Sequence, residues 1–306
     1  MSPAILGAAV RWILFAAVLV STGAAAFRFA VMGRLTPGDT DALALHQRVM
    51  SRAAGLAAVA AAVGLGAALA RLPLQFAELG DNTIPMLPQV TALTMHTTWG
   101  AAWFYQVAAL IAACGAFITA RRGGTVAWCA AALFAVLAAA SPAFSGHAIG
   151  SERLMMLAVA ADVLHVCGAA AWLGAMVVLF ASLALVQRDA GAGASLARAM
   201  VSAFSPLALG SALLVLVTGL LASWLHLGTV SALWQSRYGK TLIFKLAAVG
   251  LMTLAGALNW RKHGPELQKT GQIGPMRRSI RWELLVGALV VLATAILVVT
   301  PEPGQE

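Results

Sequence analysis

Eight separate stretches of this sequence stay apolar for roughly 20 residues or more, the length a helix needs to cross about 30 Å of hydrocarbon. They lie near residues 7–32, 50–71, 96–119, 125–143, 154–186, 204–225, 240–260 and 282–300. In hydrocarbon the backbone must satisfy its own hydrogen bonds, so such runs fold as helices packed on one another. Hydrophobic residues make up 61% of the chain and charged ones 10%, with a mean hydropathy of +0.87; these values exclude an ordinary soluble domain. The expectation is an all-α, polytopic membrane bundle of about eight transmembrane helices, a single integral membrane domain over 1–306. The first run carries Arg11 and resembles a signal peptide. Its apolar stretch is too long for one and no cleavage site follows, so it is read as a membrane helix.

The basic residues set an orientation. Fourteen of the twenty Lys and Arg fall on the 1–2, 3–4, 5–6 and 7–8 connections and their flanks, among them Arg28, Arg34, Arg121, Arg122, Arg188, Arg261 and Arg277. Arg11, Arg71, Arg153, Arg237, Lys240 and Lys245 fall to the other side. By the positive-inside rule the arginine-rich loops are cytoplasmic and both termini lie outside. The net charge of +9 then reports topology and contact with the lipid bilayer, and gives no argument for nucleic acid. Cys114, Cys129 and Cys167 all fall within spans without a CxxC, which points away from a disulfide framework.

The two halves align as a 4+4 internal repeat. Trp99-Gly100 followed by Phe104-Tyr105-Gln106 matches Tyr238-Gly239 followed by Ile243-Phe244-Lys245 at a constant offset, and Gly23-Ala24 matches Gly174-Ala175. That alignment sets Arg11 opposite Asp162 and Leu14 opposite His165, and implies parallel repeats about an axis along the membrane normal.

Asp162 and His165 are the costly residues. They sit one helical turn apart, on one face of the fifth span. An Asp at a membrane helix centre costs roughly 2.5–3.5 kcal/mol on insertion scales, which makes such a pair a functional-site hypothesis; the alternative is a structural pair joining helices. His96, His147 and His226 belong to the same outer half, with Met86, Met95, Met155 and Met156 nearby. Imidazole with thioether suits copper, whereas these methionines also serve as ordinary fillers. Asp162 could accept the second N–H of a metal-bound His165, or the two could relay protons. With no tight local ligand spacing, any site must be assembled between helices.

Ser145-Gly146-His147-Ala148, Asp162-Val163-Leu164-His165 and Ala170-Ala171-Trp172-Leu173-Gly174 resemble the signature of the CopD family of copper-resistance membrane proteins. Thr218-Gly219, Trp224, Tyr238-Gly239-Lys240, Lys245 and Ala257-Leu258-Asn259 also look like that family, and the similarity is strongest over residues 90–300. The resemblance implies an eight-helix inner-membrane protein, not an enzyme, that moves copper between periplasm and cytoplasm with a periplasmic copper-binding protein of the CopC type as its separate partner. Import is the direction usually proposed for the family. It carries over to His147, Asp162, His165, Trp172 and Gly174; His96 and His226 join the metal set from topology alone. No GxxxxGK[ST] occurs, so transport would be passive or ion-coupled. Two competing readings remain open. Facing histidines in a bundle can also hold b-type haem in a membrane oxidoreductase, and a scaffold or sensor would use the Asp/His pair structurally.

Overall fold

A computed structural model describes residues 3–79, 85–144, 155–227 and 231–300. Among them the regular structure is helical: α1 Pro3–Ala26, α2 Thr40–Leu79, α3 Met86–Met95, α4 Thr98–Ala120, α5 Thr125–Ala140, α6 Met155–Ala169, α7 Ala175–Val186, α8 Gly193–Leu227, α9 Ala232–Gln235, α10 Arg237–Leu258, α11 Gly264–Thr270 and α12 Ile273–Leu297. Eight helical segments are long and apolar enough to cross a membrane. The fifth is α6 and α7 joined by a π turn, Ala170–Gly174; further π turns follow α1 at Phe27–Val31 and α10 at Asn259–His263.

Several helices outrun their apolar stretches. At the arginine-rich end α2 starts at Thr40 rather than near 50, because Asp39 Oδ1 accepts from Ala42 N–H at 2.7 Å and the added turns bury Leu45 and Val49. In the same way α8 starts at Gly193, after Asp189 Oδ1 has accepted from Gly191 N–H and Ala192 N–H, both at 3.2 Å. The Gly264-Pro265 to Gly274-Pro275 stretch reads as loop from its breakers, yet it holds α11. Proline is tolerated in a first turn, where its missing N–H is not needed, and Gly271 at φ +70° ends the helix in the left-handed conformation. The Leu72–Met95 connection is likewise mostly helix, since α2 continues through Pro73 to Leu79 and α3 follows from Met86.

The core forms around α1, which packs against α2, α5, α7, α12 and the 170–174 π turn. Its approach to that turn is backbone on backbone. A Cβ on Gly23 would overlap the Gly174 backbone, and one on Gly174 would overlap the Leu19 carbonyl. Small residues at a membrane helix crossing allow this dispersion contact where no hydrophobic force separates helix from lipid. Two long-range hydrogen bonds hold α1 on other sides: Trp12 Nε1–H to the Ala288 carbonyl at 3.0 Å and Thr22 Oγ–H to the Ala135 carbonyl at 3.1 Å.

The third and seventh spans begin with the same turn. Thr97 accepts from Gly100 N–H and Ser236 from Gly239 N–H, each at 2.9 Å. A short helix precedes each cap, and a Cβ on either glycine would overlap a carbonyl of that helix, Thr94 or Ala232. These are the residues that the aligned halves set opposite one another. Elsewhere the halves differ: α2 and α4 pack closely, whereas α8 and α10 scarcely touch.

Two outcomes test this packing. Gly174→Val overpacks a backbone contact, a class of change costing typically 1–3 kcal/mol; the unfolding temperature in detergent should fall clearly, and an unchanged value would contradict the crossing. Ser236→Ala removes a cap worth about 1 kcal/mol, and should lower the same temperature by less.

Candidate functional site

The fifth span brings its costly pair to the α6/α8 contact. His165 Nδ1 lies 3.0 Å from Thr218 Oγ1 on α8. A threonine hydroxyl has one hydrogen, and here it points at the Leu214 carbonyl, 2.7 Å away, with the Val215 carbonyl at 3.3 Å. The Thr218 oxygen is therefore the acceptor and His165 Nδ1–H the donor. The ring also hydrogen-bonds the Val215 backbone; in the Nδ1–H tautomer Nε2 keeps its lone pair. Neutral imidazole in that state is the form that binds a metal.

Glycines make room for the ring. A Cβ on Gly219 would come within 3.3 Å of His165 Cε1. One turn along α6 from His165, a Cβ on Gly168 would sit 3.1 Å from Val215 and 3.3 Å from Leu214. Close approach of α6 and α8 thus depends on two side chains being absent, and it carries Thr218 to the imidazole.

Lys245 joins this pair from α10. Its charge interacts with both the Asp162 carboxylate and His165. From its sequence position Lys245 reads as a boundary charge, but it lies eight residues into α10, about 12 Å at 1.5 Å per residue. Asp162 and His165 on α6 and Lys245 on α10 are thus within electrostatic reach of one another, on helices of the α6/α8 and α10/α12 pairs, where α8 and α10 scarcely touch. Leu14 is the residue that the sequence alignment of the two halves sets opposite His165. It is fully buried beside Val18 and Leu110 in an apolar cluster.

The other residues expected to bind metal do not join that group among the described residues. His96 is exposed, at the end of α3, where its N–H bonds the Ala92 carbonyl. His147 lies outside the described residues. His226 is in the last turn of α8, eight residues or about 12 Å along the helix from Thr218; its side chain lies outside the described residues. Met86, Met95 and Met156 are exposed. Among the described residues no three His, Cys, Asp or Glu side chains converge. Trp172 and Gly174 are buried in the core, the glycine at the α1 crossing.

Sequence reasoning passed over three polar features. Thr218 stands in a degenerate motif with nothing to mark it as the partner of a residue 53 positions away. Arg71 lines a water-sized cavity of about 10 Å³ with Trp99, Trp103, Gln106 and Ser141; its guanidinium lies 5.8 Å from the Trp99 ring centre and donates to Gln106 Oε1 at 3.4 Å. Glu283 is buried in the eighth span and bonded to Asn259.

Comparison with known proteins fits this architecture. The family model for the copper resistance protein D-like N-terminal domain matches residues 1–156, and that for copper resistance protein D matches residues 198–297. The copper transport protein CutJ of Bacillus subtilis (strain 168) is 26% identical over 252 residues, which cover 80% of this chain and 45% of that protein. This chain thus spans less than half the length of that relative. Copper resistance protein D of Pseudomonas syringae pv. tomato is 25% identical over 230 residues, 72% of this chain and 74% of that protein. No solved structure matches. Eight membrane-length helices and family models that together take in both halves lead to one assignment: the chain belongs to the copper resistance protein D family.

Proposed function

We propose that this protein carries copper across the bacterial inner membrane, with His165 Nε2 as the ligand inside the bundle. The reading is supported above all by the bond from His165 Nδ1–H to Thr218 at 3.0 Å, which leaves the other ring nitrogen free to bind a metal. Both termini are periplasmic in this reading, and the arginine-rich loops cytoplasmic. Ions arrive at the periplasmic face from a copper-binding partner of the CopC type, are gathered by His96, His147 and His226, and pass His165. The relatives' names, copper transport protein and copper resistance protein D, support copper as the cargo.

Asp162 has an electrostatic role in this scheme. An ammonium beside His165 opposes the arrival of a cation, and the Asp162 carboxylate cancels it. Asp162→Asn leaves Lys245 uncompensated and should abolish copper accumulation in cells; adding Lys245→Met should restore part of it. Failure of the double variant to recover, with both proteins inserted normally, would contradict charge compensation and favour Asp162 as a direct ligand.

The imidazole has its own test. His165→Ala should remove accumulation. Thr218→Val keeps the side-chain shape but frees the tautomer, and should weaken copper binding about 10–100-fold, the usual cost of losing an orienting partner. Wild-type binding and accumulation in His165→Ala would overturn the proposed path.

A further inference from the structure

A second ionisable group lies inside the bundle, away from the His165 group. Glu283 on α12 is 3% exposed and Asn259, in the π turn after α10, is 9% exposed. Asn259 Nδ2–H donates to Glu283 Oε1 at 2.8 Å, while Asn259 Oδ1 is buried and has no hydrogen-bond partner. Gly256 lies beside the carboxyl, where a Cβ would be in ordinary contact with Glu283 Oε1 at 3.4 Å. Intramembrane carboxyls are costly and mark functional sites. A buried acceptor facing nothing is costly in the same way.

Among the described residues no cation is paired with this carboxyl. The elements packed on α12 are α1, α7, α10, α11 and the 259–263 turn. α7 contains no ionisable residue, and Arg11 of α1 precedes Trp12, which bonds Ala288 on the outward side of Glu283. Lys245, the α10 ionisable residue nearest the turn, precedes Asn259 by fourteen residues, about 21 Å of helix. In the turn, Arg261 and Lys262 are exposed, and His263 faces Glu266 of α11 at 3.4 Å; Lys269 of α11 is exposed. On α12 itself Arg278 and Arg281 are exposed, and Arg277 bonds Gln187 at 2.8 Å and lies over the Phe180 ring.

One small ligand satisfies both open groups. A proton on the free oxygen of Glu283 removes the carboxylate charge and creates an O–H donor, the kind of group that the unpartnered Asn259 Oδ1 lacks. A metal would have only the oxygens of one carboxyl and one amide, whereas hard cations want six or more oxygens and copper prefers nitrogen and sulfur. The pair also sits on a π turn, a local register change common at functional sites, beside the arginine-rich end of the bundle.

We propose that Glu283 and Asn259 form a proton-carrying site that loads and unloads at the arginine-rich end and couples proton movement to passage of the cargo. The carboxylate gains H⁺ from water at that end to form Oε2–H, and returns it when Asn259 moves away. The coupling rests on the copper reading above; the protonation does not.

The full-length protein serves for both tests. Infrared spectra in detergent should show a protonated-carboxyl band that disappears at high pH and is absent from Glu283→Gln. In Asn259→Ala, which keeps the carboxyl, the band should shift. Proteoliposomes holding a pH-sensitive dye, supplied with cuprous ion, should show proton flux linked to copper uptake, and that linkage should be lost in Glu283→Gln. An infrared spectrum lacking the band at every pH would overturn the proton site, as would Glu283→Gln retaining the wild-type linkage. If wild-type protein took up no copper, the copper reading and the coupling would fall together, and the infrared titration would still decide whether the pair holds a proton.

Discussion

Gly23 and Gly174 bring α1 and the fifth span into backbone contact, and the placement of everything in the second half depends on that crossing. Because α1 also touches α2, α5, α7 and α12, it is the common neighbour of both halves. The fifth span is then fixed in depth and rotation by a contact with no side chain to adjust. Gly168 and Gly219 bring α8 onto the other side of the same span. The imidazole between these contacts bonds Thr218 at 3.0 Å and also the Val215 backbone.

The two halves use similar helices for different ends. In the first, Leu14, Val18 and Leu110 fill the space apolar against apolar, and α2 closes on α4. In the second, His165, Asp162 and Lys245 lie within electrostatic reach of one another, and α8 and α10 scarcely touch. In the copper reading proposed above, this polar set lies along the path of the cation. The Glu283–Asn259 pair also belongs to the second half, 24 residues apart in sequence and joined across α10 and α12.

Much of this was legible in the sequence. The eight spans follow from apolar length alone, and the cost of Asp162 and His165 in such a run singles them out. Helix ends were less legible, because hydropathy reports only the part of a helix that meets lipid: α2 and α8 continue past it on the caps Asp39 and Asp189. Thr218 was hidden because its role depends on the rotation of α8 against α6. Lys245 and Glu283 were hidden for a related reason. Each lies near basic residues in sequence, where a charge reads as a boundary marker, yet Lys245 is within electrostatic reach of Asp162 and Glu283 is buried. π turns leave no periodicity of their own, so the turn that carries Asn259 could not be foreseen.

The central claim is that His165 meets the metal through Nε2 while Nδ1 stays bonded to Thr218. Nitrogen NMR of protein labelled with ¹⁵N-histidine tests this directly, since cuprous ion is diamagnetic. Without metal, the His165 resonances should be those of a neutral Nδ1–H tautomer, and stoichiometric cuprous ion should shift Nε2 while Nδ1 remains protonated. A His165 ring unmoved by copper, or one that loses its Nδ1 proton to the metal, would contradict the account.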